Sequence, residues 1–273
     1  TRYWRDWSSD VCSSDLILAD TTYEGVVVVG GDGAVRLVAP EAARAGVPLV
    51  HCPAGNENLF AREFGMTDDP DMILDLLQNG RRRAIDLLDV AIDARRPEVA
   101  VLMASFGFDA DVVHDLAARR TGPVSHLSYV MPLVRAFLRL SLPTVTAELD
   151  GEVIADRVPG FVLIANSRQY AARLDPARSA DIDDGRLDLL VFPCRTRLGL
   201  LAWFLRTCIG RHLGHPRLIH RQGRYVDLGF DPSQRWQVDG DPPHEGDPVS
   251  TARFSVRPGA LTVLDRKSTR LNS

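Results

Sequence analysis

Four consecutive valines run directly into a glycine-rich turn near the start of the chain. Residues 26–29 (VVVV) are β-branched without alternation, a pattern typical of a strand buried on both faces of a parallel sheet. A GGDG turn follows at residues 30–33, and residues 34–45 then predict a helix. Pro40 is expected to interrupt or end the first part of that helix, because proline lacks an N–H and clashes with the preceding turn.

The same order of strand, glycine turn and helix recurs immediately downstream. Residues 47–52 form a second apolar run, followed by the turn at residues 53–55 and by a helical pattern over residues 56–64. Two such units in about forty residues predict a doubly wound α/β domain built on a parallel sheet. We place this α/β domain at residues 17–81, with a further helix at 71–77.

Beyond Gly80 the pattern changes to short alternating runs, which predict a β-rich, sandwich-like second domain at residues 82–258. The predicted strands are residues 85–92, 99–105, 144–149, 160–165, 187–192, 225–230, 236–238, 252–256 and 261–264. Two predicted helices, 126–140 and 196–212, interrupt them. We expect residues 259–264 to return to the first domain as a C-terminal strand.

Both ends of the chain resemble translated adapter DNA. Residues 6–16 (DWSSDVCSSDL) can be encoded by a segment whose reverse complement, read one frame along, encodes residues 265–273 (DRKSTRLNS). We therefore interpret residues 1–16 and 265–273 as artefactual tails and exclude them from fold reasoning. The gene fragment is then expected to be truncated at both ends.

Charge and cysteine content narrow the function classes. The tails hold five basic and four acidic residues, so removing them changes the formal charge from −4 to −5. No nucleic-acid partner is expected, because such proteins usually present a basic face. Apolar runs such as residues 198–205 are far shorter than the roughly 20 residues of a membrane span. Cys52, Cys194 and Cys208 form no CxxC pair, which fits a reducing cytoplasm.

Both glycine turns are suited to binding phosphate groups. Glycine lets the backbone approach an anion closely, and the N–H groups that begin the following helix point towards it. Because both turns follow parallel strands, they are expected at one sheet edge, where ligands bind in open α/β folds. Asp32 is placed to hold a magnesium ion there. The structural alternatives are a tight connection at 30–33 and a helix N-cap at Asn56.

A third motif, VDGD at residues 238–241, carries two carboxylates. Phosphoryl transfer to an alcohol needs a carboxylate that orients or deprotonates the hydroxyl, and metal-bound oxygens that offset the phosphate charge. Asp241 suits the first task, and Asp239 is a further candidate metal ligand. Asp-Gly is also a strong hairpin signal, so a purely structural β-turn is the alternative.

Five motifs, taken in order, resemble the catalytic region of the diacylglycerol kinase and sphingosine kinase-like lipid kinases. They are GGDG, PAGNEN with LFAREFGM, FGFDADVV, DDGRLDLLVF and VDGD, and together they span about residues 23–264. The resemblance implies that residues 17–81 are a partial nucleotide-binding domain and that the active site lies in the cleft between this domain and the β-sandwich. ATP and magnesium are expected to bind there, with a lipid alcohol as acceptor. It implies a nucleotide-binding role for Gly30, Gly31, Asp32, Gly33, Ala34, Gly55, Asn56 and Asn58, and catalytic roles for Asp32 and for Asp241 as general base.

The chain departs from the family pattern at three of these positions. Ala34 and Asn56 stand where the family has threonine, so two hydroxyls that would contact phosphates are absent. A missing hydrogen bond costs only about 0.5–1.5 kcal/mol. Asp241 stands where the family has glutamate, which shortens the general base by one methylene. The family's first strand would precede residue 17.

Other segments allow a functional and a structural interpretation. Phe108 and Asp109 are candidates for the acceptor pocket, or belong to a turn with packed aromatics. The aspartates at 181, 183 and 184 are candidate metal ligands, or solvated turn residues. The helix at 198–205, flanked by arginines, has the composition of one that rests on anionic lipid, although packing on the β-domain is favoured.

Three functions remain open at this point. A lipid kinase is the first, with a peripheral position at the inner face of the membrane and a homodimer both considered. A nicotinamide-dinucleotide kinase is the second, because GGDG turns occur there too, although PAGNEN and VDGD favour the lipid branch. A non-catalytic nucleotide- or lipid-binding homologue is the third, and it is favoured by Ala34 and Asn56.

Overall fold

The computed structural model describes residues 23–93, 95, 97–119, 130–138, 142–243 and 247–266. Of the two predicted tails, 1–16 and 265–273, residues 1–16 and 267–273 lie outside this part of the chain. Parts of the helix predicted at 126–140 also lie outside it. Asp265, the first residue of the second predicted tail, is the last residue of a strand.

The N-terminal part is an α/β unit of two parallel strands and three helices. Its elements are β1 (Val26–Gly30), α1 (Asp32–Ala45), β2 (Leu49–Pro53), α2 (Leu59–Phe64) and α3 (Pro70–Asn79). β1 and β2 pair in parallel register from Val26↔Leu49 to Gly30↔Pro53. Both glycine turns therefore leave the same sheet edge, as predicted, and the N–H of Ala54 donates to the carbonyl of Gly30 at 2.8 Å.

Helix α1 continues through Pro40, so the prediction of an interruption there was wrong. Proline removes one hydrogen bond, the one its N–H would donate to the carbonyl four residues earlier. Packing outweighs this loss, since Val35, Ala39 and Ala42 are all buried against the core. The helix ends at Gly46, whose left-handed conformation (φ 67°) closes the last turn.

The second part is rich in strands. Its elements are β3 (Arg81–Ile92), β4 (Glu98–Ala100), β5 (Met103–Phe106), α4 (Phe108–Arg119), α5 (Val130–Leu138), β6 (Thr144–Leu149), β7 (Glu152–Ala165), β8 (Leu187–Pro193), α6 (Arg197–Cys208), β9 (Ile219–Gly223), β10 (Tyr225–Gln234), β11 (Trp236–Val238) and β12 (Val249–Asp265). No helix in the described part of the chain is both long enough and apolar enough to cross a bilayer.

These strands form a sandwich whose two sheets share β7. The first half of β7 pairs with β6, and its second half, from Gly160 onwards, pairs with β5 and β8. The core between the sheets contains stacked aromatic rings, with the centroids of Phe106 and Phe230 4.6 Å apart. A mixed sheet with helices joined to a β-sandwich confirms the predicted fold class.

Strand β12 connects the sandwich with the α/β unit. It pairs antiparallel with β3 along most of its length, and near its end Val263 lies parallel to Leu49 of β2. The two runs predicted at 252–256 and 261–264 are therefore one strand, with an irregularity between Arg257 and Leu261.

Three further elements differ from prediction. The run at 99–105 is split into β4 and β5, because the chain bends at Val101 and Leu102. The turn interpretation of FGFD is right for Gly107, which has a φ of 97°, but helix α4 begins at the next residue. β9 was not predicted; it is an edge strand that pairs only with β8 among the described strands.

Candidate active site

The two glycine turns touch each other. A Cβ added to Gly55 would lie 2.6 Å from the Cα of Gly31, and one added to Gly31 would lie 3.3 Å from the Cα of Gly55. Neither glycine has a positive φ. Glycine is therefore required at these positions by close approach of two backbones, and not by the tight-connection alternative, which would demand a left-handed conformation.

The VDGD motif is a two-residue hairpin turn packed against the GGDG turn. Val238 and Asp241 exchange both backbone hydrogen bonds at 3.0 Å, and Asp239 and Gly240 both have positive φ, as a type I′ turn requires. A Cβ added to Gly33 would collide with a carboxylate oxygen of Asp241. The hairpin alternative is thus correct for the backbone, while the Asp241 side chain reaches the start of α1.

Arg36 links helix α1, which follows the GGDG turn, to the VDGD turn. It lies one turn into α1, is buried, and its guanidinium donates to the carbonyl of Val238 at 3.4 Å. The same group pairs with Glu98 at 3.7 Å. Arg36 could not be recognised from the sequence, because a single arginine within a helical pattern gives no signal of a contact some two hundred residues away.

Asp32 caps a helix that is distant in sequence. Its two carboxylate oxygens accept the N–H groups of Leu59 and Phe60, each at 2.9 Å, at the start of α2. Burial raises the pKa of Asp32, and those two bonds partly oppose the rise. The side chain therefore holds the GGDG turn against the second loop, a structural role that the sequence alone did not suggest.

The second loop is closed by Asn58. Its side chain accepts from the N–H of Gly55 at 2.8 Å and donates to the carbonyl of Gly55 at 2.7 Å. The N-cap position of α2 is Asn58 and not Asn56, so the cap alternative for Asn56 was wrong. Asn56 is exposed at the tip of the loop.

The backbone of Ala34 takes part in the first turn of α1. Its N–H donates to the carbonyl of Gly31 at 3.0 Å. The backbone of Ala34 is thus already engaged. The N–H groups nearer the helix start, which have no partner within a helix, are better placed for an anion.

Asp239 supports the bend between β4 and β5. Its buried carboxylate accepts the N–H groups of Val101, Leu102 and Met103 at 2.7–2.9 Å. Burial outweighs these donors and raises the pKa of Asp239 to about 6. We therefore assign Asp239 to the support of this bend, in place of the metal ligation suggested by its sequence.

We predict that Asp239→Asn removes a pH dependence of stability. The folded chain binds the Asp239 proton more tightly than the unfolded chain, with a pKa of about 6 against 3.8. The stabilisation that results from this tighter proton binding is fully present below the pKa of the unfolded chain and is lost as the pH rises through the pKa of the folded chain. Urea denaturation at several pH values should show the parent losing stability relative to the variant across this window. A difference that stays constant with pH would contradict the assignment.

A hydrogen-bonded group joins Asp109 to the VDGD turn. The side-chain amide of Gln237 donates to Ser105 at 2.9 Å and to Asp109 at 3.1 Å, and its oxygen accepts from the N–H of Gly240 at 2.8 Å. Ser105 donates to Asp109 at 2.5 Å. Burial, together with the Asp109 carboxylate, raises the pKa of Tyr170 well above its usual value.

Gln237→Ala should lower kcat by about tenfold while leaving the fold intact, because it releases both Asp109 and the backbone of the VDGD turn. Gln222→Ala is the matched control. Gln222 lies on strand β9, and its side-chain amide also donates to an aspartate, Asp188, at 3.0 Å. Equal kcat values for the two variants would show that Gln237 does not position the turn.

One cavity of about 610 Å³ connects these parts. The sequence-predicted residues that line it are Gly31, Asp32, Gly33, Gly55, Asn56, Phe108, Asp109, Asp239 and Asp241, whereas Gly30, Ala34 and Asn58 do not. Beyond Asp109 the cavity continues into a chamber with apolar walls from α4, α6 and β7. The polar end and the apolar chamber therefore form one continuous space.

The aspartates of the turn at 181–184 contact an arginine and the backbone. Arg83 pairs with Asp183 at 2.7 Å and with Asp181 at 3.6 Å, and Asp184 accepts from the N–H of Arg186. Within the described residues, no group of three or more His, Cys, Asp or Glu side chains is placed to hold a metal ion. The structural interpretation of these aspartates is the one that the contacts favour.

Comparison with known sequences identifies the family. Residues 16–90 match the diacylglycerol kinase catalytic domain, and residues 102–265 match the YegS C-terminal NAD kinase beta sandwich-like domain. A diacylglycerol kinase of Mycobacterium tuberculosis is 32% identical over 244 residues, which cover 88% of this chain and 76% of the relative. The chain belongs to the diacylglycerol kinase-like lipid kinase family. It is therefore a kinase with an alcohol group as acceptor.

Other members of the lipid kinase family and two solved structures extend the comparison. A protein named "Probable lipid kinase YegS-like" from Pseudomonas fluorescens is 30% identical over 249 residues, which cover 87% of this chain and 76% of that protein. A diacylglycerol kinase structure from Bacillus anthracis superposes with a TM-score of 0.64 at 14% identity, covering 95% of this chain and 83% of that one. Yeast NADH kinase gives 0.52 at 10% identity, covering 92% and 68%. These two structures show a shared fold alone.

Proposed function

We propose that this lipid kinase transfers the γ-phosphate of ATP to the hydroxyl of a diacylglycerol-like or sphingoid-like lipid. The observation that carries the proposal is the continuous cavity. At one end it contains two glycine turns and the Asp241 carboxylate, and at the other an apolar chamber. A long apolar substrate with a single reacting hydroxyl fits that division.

The apolar chamber favours a lipid over a dinucleotide as acceptor. Its walls include side chains from α4 and α6, among them Val112, Leu116, Leu200 and Trp203. Burying such surface against acyl chains is favourable in proportion to the area removed from water. A nicotinamide dinucleotide carries ribose and phosphate groups that would lose their hydration there without gaining partners.

The polar end fits a triphosphate. Gly31 and Gly55 leave room where side chains would stand, and α1 begins at this point, so its first N–H groups and helix dipole favour a phosphate. Magnesium, when bound through the phosphates and water as it commonly is, would offset their negative charge. Asp32 is the carboxylate that we propose to face this ion, in addition to its bonds to α2.

We assign the general base to Asp241. Its carboxylate lies against Gly33 at the start of α1, and therefore beside the proposed phosphate site. Asp241 takes the proton of the lipid hydroxyl as that oxygen bonds to the γ-phosphorus; the bond from the γ-phosphorus to the bridging oxygen breaks, and ADP leaves. The Gln237 side chain, through the N–H of Gly240, holds the turn that carries this base.

The NAD kinase alternative is supported by the shared fold with yeast NADH kinase. The non-catalytic alternative is supported by the missing hydroxyls at Ala34 and Asn56. A radiolabelled-ATP assay with magnesium and separate samples of diacylglycerol, a sphingoid base and a long-chain prenol tests the proposal. Labelled lipid supports it and identifies the acceptor class. No labelled product from any of the three lipids would overturn it.

A further inference from the structure

Helix α6 has apolar side chains on two opposite faces. Leu200 and Trp203 are buried against the sandwich, and Trp203 donates to the carbonyl of Pro193 at 2.8 Å. The opposite face also consists of large apolar residues, with Leu198 77% exposed and Ile209, at the C-cap, 65% exposed. A surface helix of a soluble domain normally has polar residues on its outer face. The outer face of α6 therefore carries apolar side chains where a solvent-facing helix normally has polar ones.

Helix α5 repeats this feature beside α6. Met131, Val134 and Leu138 are exposed at i, i+3 and i+7 spacing, and therefore lie on one face of the helix. Among the described residues, α5, α6 and the C-cap of α6 supply nine of the sixteen exposed large apolar side chains. The two helices meet where Arg197 donates to the carbonyls of Phe137 and Leu138. The exposed apolar residues are thus concentrated on adjoining helices.

The substrate cavity is lined in part by the same two helices. Leu133 of α5 and Phe204 of α6 both line the cavity, and they are also 39% and 42% exposed. The same two helices therefore carry residues that line the chamber and residues that are exposed on the outside of the protein. The apolar outer surface thus lies on the helices that form part of the chamber wall.

Arginines flank the apolar stripe of α6. At 3.6 residues per turn, Arg197 and Arg206 lie on either side of the line through Leu198 and Leu205. Arg195 and Arg211 are exposed just beyond the two ends of the helix. Apolar residues bordered by cationic side chains suit the interface of a bilayer that carries anionic headgroups.

We propose that the outer faces of α5 and α6, here called the docking face, bind the surface of an anionic lipid bilayer. The docking face places the helices that form part of the chamber wall against the membrane. This inference goes beyond the proposed phosphoryl transfer, because it concerns how the chain reaches its substrate. It also differs from a dimer interface, since the same helices would then face a second protein.

The test is sedimentation of the full chain with lipid vesicles, without ATP or any acceptor lipid. Vesicles of phosphatidylcholine alone are compared with vesicles that also contain phosphatidylglycerol. The docking-face variant is Leu198→Ser/Leu205→Ser/Ile209→Ser, none of which lines the cavity. The matched control is Leu37→Ser/Leu74→Ser/Val153→Ser, which removes three exposed apolar side chains elsewhere.

We expect the parent and the control to bind the anionic vesicles, with binding that weakens as the salt concentration rises. The partition coefficient of the docking-face variant should be at least about tenfold lower than that of the parent. In detergent micelles all three should phosphorylate lipid equally. Parent and docking-face variant binding alike, or a parent that binds no vesicles, would overturn the proposal. So would a parent dimer that only the docking-face variant dissociates. Vesicle binding without kinase activity would support the docking face and count against the proposed reaction.

Discussion

Replacing Asp241 by alanine should lower kcat by roughly 10²- to 10⁴-fold, the usual contribution of a positioned general base. The backbone of the turn should survive, because Val238 and Asp241 are joined through main-chain atoms. We therefore expect the thermal midpoint to change little. Steady-state kinetics and thermal unfolding of the same preparation measure both quantities.

Two further substitutions at this position distinguish the loss of proton acceptance from a change in the size of the side chain. Asp241→Asn keeps the size of the side chain but cannot accept the proton, so it should be as inactive as alanine. Asp241→Glu should retain or raise kcat, since it restores the length that the family usually has. Asp247→Ala, in the following segment, is the control and should leave kcat unchanged. Full activity of Asp241→Ala would remove this residue from the mechanism.

The contact with Gly33 offers an independent approach to the same carboxylate. Gly33→Ala would place a methyl group where an oxygen of Asp241 lies, and that side chain must then move. We expect kcat to fall sharply with little loss of stability, because only the end of a side chain is displaced. Gly214→Ala is the control, since no atom lies within 4 Å of its added Cβ.

Asp32→Asn should reduce both turnover and stability. The substitution removes the charge proposed to face magnesium, so kcat should fall by about a hundredfold or more. Asparagine has one acceptor oxygen where Asp32 uses two, so either Leu59 or Phe60 loses a partner for its N–H. Loss of a cap typically costs about 1 kcal/mol, which lowers the thermal midpoint of a chain of this size by about 2–4 °C.

The control is Asp69→Ala, because Asp69 caps α3 by accepting from the N–H of Asp71 at 3.0 Å but lies outside the cavity. This variant should also lose about 1 kcal/mol of stability, and its kcat should be unchanged. If Asp32→Asn lost stability yet kept the parent kcat, the cap would be the whole role of Asp32 and the metal role would be contradicted.

Local patterns predicted the elements whose burial follows a simple period. The valine run of β1 and the apolar run of β2 were recognisable because a strand buried on both faces is apolar throughout. Helix α4 was missed because FGFD contains a true turn at Gly107, which concealed the helix start one residue later. The edge strand β9 was missed because its residues do not alternate and it pairs with β8 alone among the described strands.

The parts of the site that depend on distant contacts could not be predicted. The sequence indicated that Asp32 and Gly55 would meet at one edge, because glycine turns after parallel strands share that edge. Asp241 was added to this site by the resemblance of its VDGD motif to the kinase family. It did not reveal that Asp32 caps α2 or that Asp239 supports the bend at Val101. Each of those contacts joins segments far apart in the chain, and no local period records them.

The central claim is that a lipid hydroxyl, and not a nucleotide, accepts the phosphate. The most direct measurement incubates the chain with γ-labelled ATP, magnesium, and equal concentrations of diacylglycerol and NAD, and then separates organic from aqueous products. The account predicts label in the organic phase, carried by a phosphorylated lipid, and its loss in Asp241→Ala. Label appearing in NADP, with none in the lipid, would contradict it.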